Sequence, residues 1–193
     1  PQMITMARAW DLAATKYTGN NDPDWTTGSL MGMDEENRIF LLDQVRLRDT
    51  SLVVELAIKH TAERDGYEIP IGIEQEGGAA GKGWPESIIR NQLQGHIASY
   101  RPPSGDKVSR AKVFAAQAEV GNVYLFNPGG PGAYCQWIEE FLNEAENFPP
   151  KDKKGGHDDR IDSAVAAYEM CVGGFGAMGW HVPDGDGKNK VAG

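Results

Sequence analysis

Three groups of acidic residues stand where apolar segments of the chain should end. Asp11 closes a short apolar stretch at residues 8–14, and Glu74 closes Ile71-Gly72-Ile73-Glu74. Far downstream, Gly156-His157-Asp158-Asp159-Arg160-Ile161-Asp162-Ser163-Ala164 opens a helix. Carboxylates at the edge of an apolar sheet are costly unless something pairs with them. Acids that converge from distant parts of a chain hold hard divalent cations, which take oxygen ligands. This constellation points to metal-dependent phosphodiester cleavage.

Each acid also has a plainer account. An Asp at a strand end often accepts backbone N–H bonds, and an Asp at a helix start suits the helix dipole. The second account fits Asp158 or Asp159 well. It fits Asp162 poorly, because Ile161, Ala164 and Val165 set that turn against the core. Residues three or four apart share a helix face, so Asp162 lies near both Asp158 and Asp159. Glu76 would point to the same side as Glu74, but Gly77-Gly78 follows it at once, so Glu74 is the preferred ligand.

The elements that must carry these acids follow from periodicity. Strands are expected at residues 8–14, 26–33 and 39–48, the last two joined by the turn residues Asp34-Glu35-Glu36-Asn37. A helix capped by Thr50 or Ser51 runs to about Arg64, with Leu52, Val53, Leu56, Ala57 and His60 at helical spacing. Strands at 69–74, 96–100 and 122–126 then alternate with helices at 85–93, 107–120 and 137–147, and a last helix runs from His157 or Asp158 to Cys171. An antiparallel meander followed by strand–helix alternation makes an α/β mixed sheet with helices on both faces. Residues 1–171 read as one domain, and the Gly-rich stretch 172–193 as a flexible tail.

Composition narrows the class. A chain of 193 residues with 40% hydrophobic and 24% charged residues can bury a full core. No apolar run approaches the ~20 residues that span a bilayer, and no leader pattern opens the chain, so it reads as soluble and intracellular. Cys135 and Cys171 lack the spacing of a zinc site and read as free thiols. The net charge of −9 opposes nucleic-acid binding at face value. Part of that charge belongs to the proposed cluster, where bound cations reverse its sign. More lies on the expected outer face of the helix at 137–147, in Glu139, Glu140, Glu144 and Glu146. The Gly77–Gly83 loop with Lys82 lacks the first Gly and the final Ser or Thr of a phosphate-binding loop. His157 reads as a helix-start residue, or one that supports a ligand, rather than a ligand itself.

With these residues in place, the chain resembles the C-terminal nuclease domain of the large terminase subunit of tailed double-stranded DNA phages. The resemblance rests on Trp10-Asp11-Leu12-Ala13, Asp22-Pro23-Asp24-Trp25-Thr26-Thr27, Ile73-Glu74-Gln75, Gly105-Asp106-Lys107-Val108-Ser109-Arg110-Ala111 and His157-Asp158-Asp159-Arg160-Ile161-Asp162-Ser163-Ala164, over roughly residues 7–171. It implies an RNase H-like fold and an endonuclease that cuts double-stranded DNA during genome packaging, with two Mg²⁺ or Mn²⁺ ions. By position, Asp11, Glu74 and Asp162 match the metal-binding catalytic acids, Asp159 a nearby acid or His, and Asp24 an accessory acid, with Asp158 beside them. The family's usual Asp-Ala is Asp162-Ser163 here. Lys82, Lys107 and Arg110 are candidates for DNA phosphate contacts. The chain looks like a nuclease domain excised from its ATPase domain, and the implied partners are that domain, the portal and the small terminase subunit, in the host cytoplasm of a phage. A junction resolvase of the same fold and a non-catalytic docking module are the alternatives.

Overall fold

The computed structural model describes residues 1–13, 24–74, 83–102, 106–149, 157–174 and 179–183. Side chains alternate along β1 (Met3–Asp11), so the strand feeds two cores. Ala7 and Ala9 face one of them, while Trp10, and Leu12 just beyond the strand, face the other. β2 (Thr26–Asp34) and β3 (Ile39–Leu47) complete an antiparallel meander with β1. β4 (Ile71–Glu74) pairs parallel with β1, β5 (Ala98–Arg101) with β4, and β6 (Val123–Leu125) with β3. The six-stranded order is β5-β4-β1-β2-β3-β6.

Helices cover both faces, as the strand–helix alternation requires. α1 (Ser51–Asp65) and α2 (Trp84–Gln92) pack on Trp10, Ile71 and Ile73. α3 (Lys107–Glu119), α4 (Gln136–Glu146) and α5 (Asp159–Gly173) pack on Ala7, Ala9, Met31 and Leu41. Two glycines let this layering close up. A Cβ on Gly28 would lie 2.6 Å from the Trp10 ring, and one on Gly72 would lie 2.5 Å from Met170 Sδ. Either would push a core side chain out of place.

α5 is buried over most of its surface, so its register on the sheet must be specified by more than apolar contact. Ser163 Oγ lies 2.8 Å from Ser29 Oγ on β2, and Gln44 Nε2 on β3 donates to Ser29 Oγ and to the Arg160 carbonyl. The Ser at position 163 therefore has a buried partner, and that pairing fixes α5 above β1–β3.

Three expectations need correction. The buried stripe of α1 is Val54, Ile58, Thr61 and Ala62, while Leu52, Val53, Leu56 and His60 are exposed. Two apolar stripes overlap on this helix, so periodicity alone could not choose between them. Glu144 does not sit on the outer face of α4: its carboxylate reaches α5 and accepts from the backbone N–H of Arg160 at 2.7 Å. Within the stretch expected to be a flexible tail, Trp180 is buried in the α5 core, and His181 forms an antiparallel bridge to Tyr100 on β5. That bridge covers part of one sheet edge.

Candidate metal centre

Asp11 and Glu74 are register partners on adjacent parallel strands, at the C-terminal end of each. Alternation from Ala7 and Ala9 puts Asp11 on the face under α5, and alternation from Gly72 does the same for Glu74. Asp162 lies in the first turn of α5, buried above them. The three expected catalytic acids thus come from β1, β4 and α5 and share one side of the sheet.

Their electrostatics record the meeting. Lost solvation, then the charges of Asp162 and Glu74, push the Asp11 carboxyl well above its usual range, and Lys107 opposes them. Burial likewise lifts Asp162 to about 7, against the pull of Lys107 and with a further push from Asp158 and Glu74. Buried carboxyls of like charge that raise each other's pKa make a site whose repulsion a bound cation would relieve.

Two of the three acids, Glu74 and Asp162, have cationic neighbours of their own. Glu74 Oε1 accepts from Arg101 Nε and from Arg110 Nη2, both at 2.7 Å, and its other oxygen takes part in neither bond. Both guanidiniums also bond Glu169, which tightens the group into a four-membered network, and Arg101 stacks 4.4 Å above Trp180. Asp162 Oδ2 makes an ion pair with Lys107 Nζ, which lies 3.2 Å from Asp158 Oδ1. Lys107 and Arg110, expected at DNA phosphates, therefore sit on the acids themselves. Lys82 lies outside the described residues.

The two acids before Asp162 part company. Asp158 holds the N-cap position of α5 but makes no side-chain cap bond, and it turns to Lys107 instead. The cap comes from Glu144, which accepts from the N–H groups of Arg160 and Ile161. Asp159 turns the other way, toward Arg46 at 3.8 Å and His157 at 3.5 Å. Burial raises its carboxyl, and a bond from the Trp25 backbone restrains the rise while Asp24 adds to it. Asp24, His157 and Asp159 offer ligand atoms within 4.8 Å of one another, the one such group among the described residues. His157 Nε2 lies 3.1 Å from Arg48 Nη2, and Arg46 and Arg48 both lie over the Trp25 ring.

Arg101 and Glu169 were not found from sequence. Glu169 follows Asp162 by two helical turns on the same face, which was a usable signal. Arg101 carried none, because only the parallel register of β4 and β5 sets it beside Glu74.

An antiparallel meander flanked by parallel strands, with acids at the ends of β1 and β4 and on the helix above them, is the RNase H-like arrangement. Residues 8–171 match the family model of the terminase RNaseH-like domain, and the chain belongs to that family. The solved human cytomegalovirus terminase nuclease domain, Mn soaked and inhibitor bound, has a similar fold: the TM-score is 0.60 at 18% identity, covering 92% of this chain and 87% of that one. The same viral domain in another solved form gives 0.61 at 15% identity, over 86% and 83% of the two chains. The yeast mitochondrial Holliday junction resolvase Ydc2 is more distant, at a TM-score of 0.49 and 14% identity, with 86% of this chain and 79% of that one covered. No curated protein matches the chain by sequence. No helix among the described residues is long and apolar enough to cross a membrane.

Proposed function

We propose that this domain is a divalent-metal-dependent endonuclease that cuts double-stranded DNA during viral genome packaging. The observation that carries it is the register pairing of Asp11 with Glu74 under Asp162. The donor set suits Mg²⁺ or Mn²⁺: oxygen ligands only, partly desolvated, with carboxyls that repel one another. We read the centre as one for two ions, because three carboxylates from three different elements carry more ligand oxygens and more negative charge than a single divalent ion offsets. Asp11, Glu74 and Asp162 would hold the metal, with Asp158 or Asp159 assisting.

Bound at these acids, the ions would lower the pKa of a water so that its hydroxide form could attack phosphorus, and would neutralise charge on the leaving oxygen. The chain's own groups prepare that chemistry. Arg101 and Arg110 hold Glu74 in one orientation through Oε1. Ser29, Gln44 and Ser163 fix how far α5, and so Asp162, advances over the sheet. Burial of Asp11 and Asp162 favours their protonated forms while no cation is near, and it leaves little water to screen the attraction once a cation binds the carboxylates.

Duplex DNA is the proposed substrate. An ATPase domain, a portal and a small terminase subunit are the proposed partners, and they would also strengthen DNA capture by a chain of net charge −9. The nuclease unit would comprise residues 1–171 together with the Trp180 segment that seals β5. Incubation of supercoiled plasmid with the protein in Mg²⁺ or Mn²⁺ should give nicked and linear products of many sequences. Equal cutting in excess EDTA would remove the metal centre from consideration.

A further inference from the structure

We propose that Lys107 is the centre's built-in counter-cation: its ammonium holds the Asp158–Asp162 side until a divalent ion displaces it, and this competition sets how tightly metal binds. The inference rests on the reading of Asp11, Glu74 and Asp162 as a metal centre.

Four observations lead to it. Lys107 Nζ pairs with Asp162 and lies 3.2 Å from Asp158, so it occupies the ground between two oxygens that a cation would use. Asp162 is buried, so the ammonium offsets a carboxylate that is largely shut off from water. Lys107 is the first residue of α3, where the helix dipole disfavours a positive charge, so the helix itself gives no reason for a lysine there. The root is fixed while the stem is free. Asp106 caps α3 by accepting from the N–H groups of Val108 and Ser109, whereas the Lys107 side chain is 55% exposed.

An exposed four-carbon stem can swing away without leaving a cavity, and an ammonium on it is a point charge with no fixed geometry to defend. It also cannot remain. An ammonium and a divalent ion on the same carboxylate oxygen repel each other in a poorly hydrated place. Arg110, one turn further along α3, differs on each count: it is mostly buried and bonds Glu74 and Glu169 at once. Lys107 is thus the movable cation of this site, a positioning residue that keeps the acid cluster tolerable until metal arrives.

The test is calorimetric titration of the whole chain with MnCl₂, without DNA. Lys107→Met should bind Mn²⁺ on the order of tenfold more tightly than the parent, an ordinary coupling for two mutually exclusive cations. Its metal-free form should melt at a lower temperature than the parent, and the Mn²⁺-loaded form should recover the difference. Lys107→Arg keeps the charge and should bind Mn²⁺ close to the parent. Unchanged or weaker Mn²⁺ binding by Lys107→Met would overturn the proposal, leaving Lys107 as a fixed strut for the acids. The underlying metal centre fails separately: in that case the parent binds no Mn²⁺, or Asp162→Asn binds it as well as the parent does.

Discussion

The two sides of the acid cluster are built on different terms. Glu74 is met by Arg101, whose side chain is 2% exposed, and by Arg110, and both are tied to Glu169 behind it. Asp162 is met by one lysine on an exposed stem. The guanidiniums are planar forks that fix a carboxylate's direction, and they keep their charge under all conditions of interest. An ammonium neutralises without orienting. One side of the site is therefore preset and the other is provisional. Asp11, paired in register with Glu74 and felt electrostatically by Asp162, stands between them.

The largest expected effect comes from removing the acid that both sides share. Asp11→Asn should abolish plasmid cleavage in Mg²⁺ and Mn²⁺ while leaving the circular dichroism spectrum unchanged. It should raise the melting temperature of the metal-free protein, because a charge that is desolvated and repelled by Asp162 and Glu74 has gone. A variant that fails to fold would show Asp11 to be structural. Next in size is Arg101→Met. It leaves Glu74 and Glu169 to Arg110 alone, and breaking a buried ion-pair group costs about 3–5 kcal/mol. Urea unfolding in EDTA measures it. If the loss is no greater than that of Lys107→Met, the contrast between a preset and a provisional side is wrong.

How much of this could be read from the sequence follows the range of the interactions involved. The apolar stretch around Asp11 and the turn residues of the meander are local signals: Asp11 does end a strand, but that strand runs Met3–Asp11 rather than over the expected 8–14. Helical spacing put Asp162 on the core side of α5 for the same reason. What failed was long-range. The Glu144 cap comes from another helix, so nothing local to Asp158 shows that this N-cap residue makes no side-chain cap bond. Asp159 and Asp162 are three apart, and only the neighbours decide that one turns to Arg46 and the other to Lys107. In α1 the stripe Leu52, Val53 and Leu56 was as apolar as the stripe Val54, Ile58 and Ala62, and the sheet chose the latter.

The smallest effect concerns that borrowed cap, which supports the provisional side by holding the first turn of α5. Burial lifts the Glu144 carboxyl from 4.5 to about 7, despite the bond from the Arg160 backbone and the nearby charge of Arg46, and Asp159 adds to the rise. The folded state therefore keeps a proton on Glu144 over a window in which the unfolded chain has already released it. Between those two values folding takes up a proton, so this residue's contribution to stability is present at the acid end and is lost as pH rises through about 7. Glu144→Gln keeps an oxygen that can accept from the Arg160 and Ile161 N–H groups but removes the titration. In EDTA, the unfolding free energy of the parent should fall from pH 5 to pH 8 more steeply than that of Glu144→Gln, by a difference on the order of 1 kcal/mol across the window. Asp11, Asp159 and Asp162 are shifted in the same direction, so the variant should still slope downward. Parallel curves for the two proteins would mean that Glu144 is ionised throughout and caps α5 as a carboxylate at every pH tested.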